Sequence, residues 1–155
     1  MPTLKESQLI AAPVKRVYAF LADIERVQEW LPHVVEAHRT SEIRSGEGAE
    51  LAITVHAAGR NTEGTARCIE ADGSSRLVFE SRLAIGLTST MVFSLAADGR
   101  QTQVTVLVDY AFGGGGLGWL IGGLIGDKVV RADIQAALGS LKSRIESETA
   151  RPVRT

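Results

Sequence analysis

Residues 101–116 read QTQVTVLVDYAFGGGG, and this stretch decides the fold. Thr102, Val104, Val106, Val108, Tyr110 and Phe112 fall on alternate positions, with Gln103, Thr105 and Asp109 between them. That is the period of a strand with one covered face. Four glycines, Gly113 to Gly116, then release the chain into a segment of helical pattern. In it Ile134, Leu138, Leu141 and Ile145 are spaced by four, three and four residues, an apolar stripe able to cover the strand's dry face. The sheet is therefore expected to close against one long C-terminal helix, and what lies between the two becomes the functional question.

Upstream of this stretch, residues 34–112 divide at turn residues: Ser45-Gly46, Gly59-Arg60-Asn61, Asp72-Gly73, Gly86 and Asp98-Gly99. The spacing is that of an antiparallel meander. Odd and even positions separate chemically along most of its strands. The dry set contains Leu51, Ile53, Val55 and Ala57, then Leu77, Phe79, Ser81 and Leu83, then Leu87, Ser89, Met91, Phe93 and Leu95, and finally Val104, Val106, Val108 and Tyr110. Glu50, Thr54, His56, Glu80, Arg82, Thr88, Thr90, Gln103, Thr105 and Asp109 form the wet set. Such separation implies a sheet with one solvated and one covered face. Between residues 62 and 71 the dry side holds only Gly64, Ala66 and Cys68. Small residues on a covered face either receive bulky partners or leave a space, because interiors pack densely. The helix offers few large side chains there, so a cavity is expected. The competing expectation is a filled core in which Phe20, Trp30 and Trp119 occupy the gap.

At the amino end, Thr3 to Ile10 has the pattern of a strand, and Pro13 suits the first turn of a helix. Val14, Val17, Tyr18 and Leu21 fall on one helical face. Asp23 is placed to cap a second short helix carrying Val27, Trp30 and Leu31, which Pro32 ends.

The chain has 155 residues, enough for one domain, assigned to 1–149 with 150–155 as a frayed tail. Seventeen basic against 18 acidic residues leave a formal charge of −1, which makes no electrostatic case for nucleic acid. The start, MPTLKESQ, lacks the basic and apolar regions of a secretory signal, and the single Cys68 excludes an intramolecular disulfide. A reducing cytoplasm is the expected compartment. The longest uncharged apolar stretch, Leu117 to Gly126, is about half of the ~20 residues a membrane-spanning helix requires.

The order strand, two short helices, long meander, glycine-marked loop and long helix resembles the helix-grip fold of the START and Bet v 1 (SRPBCC) superfamily. Local wording agrees. Ile10-Ala11-Ala12-Pro13, Val17-Tyr18-Ala19-Phe20-Leu21-Ala22-Asp23, Glu29-Trp30-Leu31-Pro32 and Thr105-Val106-Leu107-Val108-Asp109-Tyr110 are similar to the bacterial polyketide cyclase/dehydrase and lipid-transport family. The resemblance covers nearly the whole chain. It implies an α+β fold, β-α-α-β-β-β-β-β-β-α, whose curved antiparallel sheet wraps the C-terminal helix around a pocket for a lipid, quinone, polyketide or hormone. It supplies no family-wide catalytic residue, and a fold alone does not settle an activity. The expected ligand-binding set is Trp30, Val55, Cys68, Phe79, Ser81, Ser89, Met91, Phe93, Val106, Val108, Tyr110 and Leu138.

Acid/base or nucleophilic catalysis would require titratable groups inside this pocket. The dry face carries only Ser81, Ser89, Cys68 and Tyr110 as polar members, and no catalytic residue is assigned. Arg67, Arg82 and Asp109 belong by parity to the wet face, where cross-strand charge pairs add only about 0.2–1 kcal/mol. A bulge slipping the register by one residue would turn them inward. In that alternative, Arg82 with Tyr110 would polarise the carbonyls of a poly-ketone during aldol closure, as cyclases of the resembling family suggest. His33 and His38 have no Cys or carboxylate at metal-ligand spacing, so neither a metal nor another cofactor is expected. Cys68 reads as a small buried hydrophobe. Gly113 to Gly118 match the letters G-x-G-x-x-G, but the parallel strand of a dinucleotide-binding unit does not follow.

Gly118, Gly122 and Gly126 recur every four residues and make a smooth helical stripe that lets another backbone approach closely. The stripe suits packing on the sheet, a homodimer contact, or a gate formed by Gly118, Trp119 and Gly122. As a gate it could touch a membrane surface transiently during ligand exchange. Three function classes follow: a carrier or sensor of an apolar small molecule, favoured by the small-residue dry face; a polyketide cyclase or dehydratase; and a non-catalytic assembly or interaction module.

Overall fold

Strand β1 (Thr3–Ile10) leads through Pro13 into α1 (Val14–Ala22), a 3-10 turn (Ile24–Arg26) and α2 (Val27–Trp30). Six further strands follow: β2 (Val34–Arg39), β3 (Glu50–Ala57), β4 (Arg60–Ala71), β5 (Arg76–Leu83), β6 (Leu87–Asp98) and β7 (Gln101–Phe112). Helix α3 (Gly116–Ala150) ends the order. The computed structural model describes residues 3–57, 59–112 and 116–150, with the side chains of 57, 112, 116–127 and 129 outside that description. The strands form one antiparallel sheet in the order β1-β7-β6-β5-β4-β3-β2, so the first strand closes the meander against the last. This is the α+β helix-grip architecture.

Local chemistry sets the element boundaries. Asp23 accepts a hydrogen bond from the Glu25 backbone N–H at 3.2 Å, capping the 3-10 turn ahead of α2. Gly46, Gly59, Gly73, Gly86 and Gly99 all have positive φ, which marks the expected turns. One turn is shorter than its residue types suggest: Arg60 and Asn61 already pair with Ala57 and His56 as the start of β4.

Pairing follows the expected parity. Leu51, Ala66, Ser81, Ser89 and Tyr110 stand side by side across β3 to β7 on the covered face. A bulge does interrupt β4, but it falls between Cys68 and Glu70. Arg67 therefore remains opposite Glu50 and Glu80, and Arg82 opposite Thr65 and Thr88. Asp109 lies opposite Thr3 and Thr90. All three stay in register with the convex, polar side. That side is less uniformly wet than parity alone suggests, because Leu107, Val92 and Val78 are aligned across three strands and Val78 is buried.

The core has two parts. Among the described residues α3 lies close to β1, β7 and α2. On that side Ile10, Val104, Val106, Leu138, Leu141 and Ile145 are all buried. Over β3 to β6 the curved sheet and the helix diverge.

Candidate ligand-binding cavity

The divergence leaves a cavity of about 240 Å³, bounded by α2, the inner face of β3 to β7, and the Val130–Ala137 portion of α3. A single water needs only ~10–15 Å³ measured in the same way, so this is room for a small molecule and not for a structural water. The grip is hollow. Phe20, one of the residues expected to fill it, instead packs beneath the Arg26 guanidinium, 4.0 Å from the ring centre. Trp119 lies outside the described side chains.

Of the residues read from the sequence, Trp30, Val55, Phe79, Ser81, Ser89, Met91, Phe93 and Val108 line this space. Cys68, Val106, Tyr110 and Leu138 do not. Val106 and Leu138 belong to the buried side where α3 meets the sheet. Cys68 is sealed by residues 48 and 49: its N–H donates to the Ala49 carbonyl and its carbonyl accepts from the Gly48 N–H, each at 2.9 Å. Burial pushes its thiol pKa upward, the opposite of an activated nucleophile. Tyr110 is buried outside the cavity, and Arg82 is exposed on the convex side. The two therefore do not combine within the cavity. The gate residues Gly118, Trp119 and Gly122 fall on the α3 backbone, with side chains outside the described residues.

Aromatic rings build one wall. Trp30 meets Phe93 edge-to-face with centroids 5.8 Å apart, and Phe79 meets the same ring at 5.9 Å. Trp30 is held in place through its own short helix. Arg26 binds Glu29 at 2.8 Å and also Glu148, tying α2 to the end of α3. The Ser81 and Ser89 hydroxyls hydrogen-bond to each other at 2.6 Å across β5 and β6. Since one of them serves as donor, the other keeps its hydrogen free.

Two features of the wall were not legible in the strand pattern. The first is a side-chain pair at the edge of the cavity: His33 Nε2 lies 2.8 Å from Asp133 Oδ1, without the alignment of a hydrogen bond. Their side chains are 42% and 39% exposed, which marks where the cavity meets solvent. Asp133 sits three residues after Val130 and four before Ala137, both cavity-lining, so helical spacing alone could have placed its carboxylate on this face. The second is an orphan donor. Trp30 is 4% exposed, and its indole Nε1–H finds no acceptor among the described residues. Leaving such a group unsatisfied costs about 1–3 kcal/mol.

Among the described residues no three His, Cys, Asp or Glu side chains converge on a metal-sized site, and no helix is long and apolar enough to cross a membrane. The family model for polyketide cyclase/dehydrase and lipid transport matches residues 1–146. The chain belongs to this family. Solved structures agree on the fold. The Zhui aromatase/cyclase from Streptomyces sp. R1128 superposes with a TM-score of 0.81 at 17% identity, covering 96% of this chain and 95% of that one. A START superfamily protein from Mycobacterium smegmatis gives 0.76 at 14% identity, over 94% and 98% of the two chains. A protein from Thermus thermophilus gives 0.79 at 20% identity, over 96% and 100%. None of the curated protein sequences compared matches the chain. Like other folds of the polyketide cyclase/dehydrase and lipid-transport family, this one is built to hold a hydrophobic ligand, and the hollow between sheet and α3 is where the space lies.

Proposed function

We propose that this protein binds an apolar small molecule between the sheet and α3 and acts as its carrier or sensor. The observation that carries the reading is the 240 Å³ cavity with its almost wholly apolar wall of Leu51, Ile53, Val55, Phe79, Met91 and Phe93. A wall of this kind binds through removal of apolar surface from water, at about 25 cal/mol per Å². Native mass spectrometry of protein purified without detergent, followed by organic extraction, tests it. A lipid-, quinone- or polyketide-sized species in the extract supports the reading. A uniformly apo protein that also fails to take up added apolar molecules contradicts it.

One observation favours a second reading, a cyclase or dehydratase. His33 and Asp133 supply titratable groups at the cavity edge, which proton transfer next to a ketone would require. Turnover of a poly-ketone analogue that disappears in Asp133→Asn, while binding of the analogue persists, would support that reading over simple carriage.

A further inference from the structure

Most polar side chains near the cavity are engaged elsewhere. Arg67 and Glu80 border the space, yet they face each other across β4 and β5 on the convex side. Asp23 binds Arg44 at 3.0 Å, and His33 and Asp133 meet each other at the solvent edge. Ser81 and Ser89 remain, side by side on the covered face of β5 and β6. Resting on the carrier reading, we propose that this serine pair recognises one neutral hydroxyl, and that the ligand is an apolar ring compound, a phenol or cyclic alcohol, with its ring against Phe79 and its oxygen on the serines.

The first observation behind this is a count of hydrogens. The mutual bond at 2.6 Å uses one of the two hydroxyl hydrogens, and among the described residues neither serine side chain has another partner. The pair therefore still presents one hydrogen to donate and lone pairs on both oxygens to accept. A ligand hydroxyl matches both roles, whereas a hydrocarbon matches neither. Both serines are half-buried, and their strand neighbours Glu80, Arg82, Thr88 and Thr90 take the opposite face. What the serine side chains leave open is thus turned to the hollow, as it is for Phe79 and Met91. Space alone does not call for hydroxyls here. Ala66, paired with Ser81 across β4 and β5, borders the same cavity with a side chain of similar size and no polar atom.

The second observation is spacing. Phe79 pairs with Met91 and Ser81 with Ser89, so the hydroxyls form the layer next to the aromatic one, about 7 Å nearer the β5–β6 turn. Beyond them the wall is apolar again, at Leu83 and Leu87. The Phe79 ring is itself held edge-to-face against Phe93. A ring seated on Phe79 meets a hydrogen-bonding oxygen only when that oxygen stands about one further ring away, which fixes where on the ligand the hydroxyl belongs.

Two probes of one shape test this: 4-benzylphenol and 4-benzyltoluene, diphenylmethanes that carry a hydroxyl or a methyl at the same position. Affinities are measured by calorimetry on the intact protein at neutral pH, where the phenol is uncharged. Ser81→Ala/Ser89→Ala removes both hydroxyls together and so strands neither. The double variant should weaken 4-benzylphenol about tenfold and leave 4-benzyltoluene unchanged or tighter. In the unaltered protein, nuclear Overhauser contacts should join the hydroxyl-bearing ring to the Ser81 and Ser89 β-protons and the plain ring to Phe79. Equal responses of the two probes to the double variant, binding of 4-benzyltoluene alone, or a hydroxyl-bearing ring found at Phe79 overturns the proposal while leaving the carrier reading intact. Should the double variant fail to fold, the contacts in the unaltered protein still decide. Failure of both probes to bind overturns the carrier reading, and this proposal with it.

Discussion

The two sides of the sheet's inner face have the same alternating sequence pattern and opposite packing. On the β1–β7 side, Val104, Val106 and Leu141 have no measurable exposure, because α3 lies directly on the strands. On the β3–β6 side, Val55, Phe79, Ser81, Ser89 and Met91 are only half-buried and face a hollow. The difference teaches that parity assigns a residue to a face but does not say whether anything sits on it. Contact with a helix is a tertiary matter, settled by where the curved sheet approaches α3 and where it leaves it.

The sharpest way to break this comparison is to place a charge on the closed side. Val106→Arg buries a guanidinium with no partner, a fault of about 3–5 kcal/mol, and should abolish the cooperative thermal transition seen by circular dichroism. A folded variant would mean that α3 does not cover β7. Truncation gives the graded version. Leu141→Ala should cost about 2–5 kcal/mol, measured by urea unfolding. Val55→Ala, which only widens an existing space, should cost about 1 kcal/mol or less. Equal losses would erase the distinction between the sides.

Filling the open side should act on binding and spare stability. Ala66 borders the cavity between Leu51 and Ser81. Ala66→Leu should leave the protein as stable or up to about 1 kcal/mol more stable, yet weaken diphenylmethane by about tenfold, or 1.4 kcal/mol. Undiminished binding would place the ligand elsewhere.

Three small residues on β4 show what was legible in the sequence and what was not. Gly64, Ala66 and Cys68 share one face and one signal, a small side chain where a large one was expected. The structure gives each a different reason. A Cβ on Gly64 would stand 2.2 Å from the Arg82 carbonyl oxygen, so close approach of the β5 backbone requires glycine there. Cys68 is sealed by residues 48 and 49. Of the three, only Ala66 borders the cavity. Strand positions, the covered face and the closing helix were readable because each rests on local periodicity. The His33–Asp133 pair was not, since its members lie 100 positions apart and meet only through the packing of α2 against α3. The orphan nitrogen of Trp30 was equally hidden, because the sequence names a donor without saying what faces it.

The smallest expected effect lies far from both sides. In the β4–β5 turn, Asp72 accepts backbone N–H bonds from Ser75, Ser74 and Arg76, which hold its carboxyl well below the usual carboxylate range. Its folded-state pKa is depressed, so its contribution is present above the ordinary value of 3.8 and is lost as pH falls through the lower folded value. Asp72→Asn should therefore lower the melting temperature slightly at neutral pH and flatten the fall in stability below about pH 4. An unchanged acid limb would remove this turn from the pH response. Closed and open sides should behave alike in that experiment.

The central claim, that the hollow side of the grip is the binding site, is tested most directly by methyl NMR during titration with diphenylmethane. The account predicts shifts at Val55, Met91, Val108 and Ile134, with Val104 and Leu141 unmoved. Shifts confined to the convex row of Leu107, Val92 and Val78, or no shifts at all with excess probe, would contradict it.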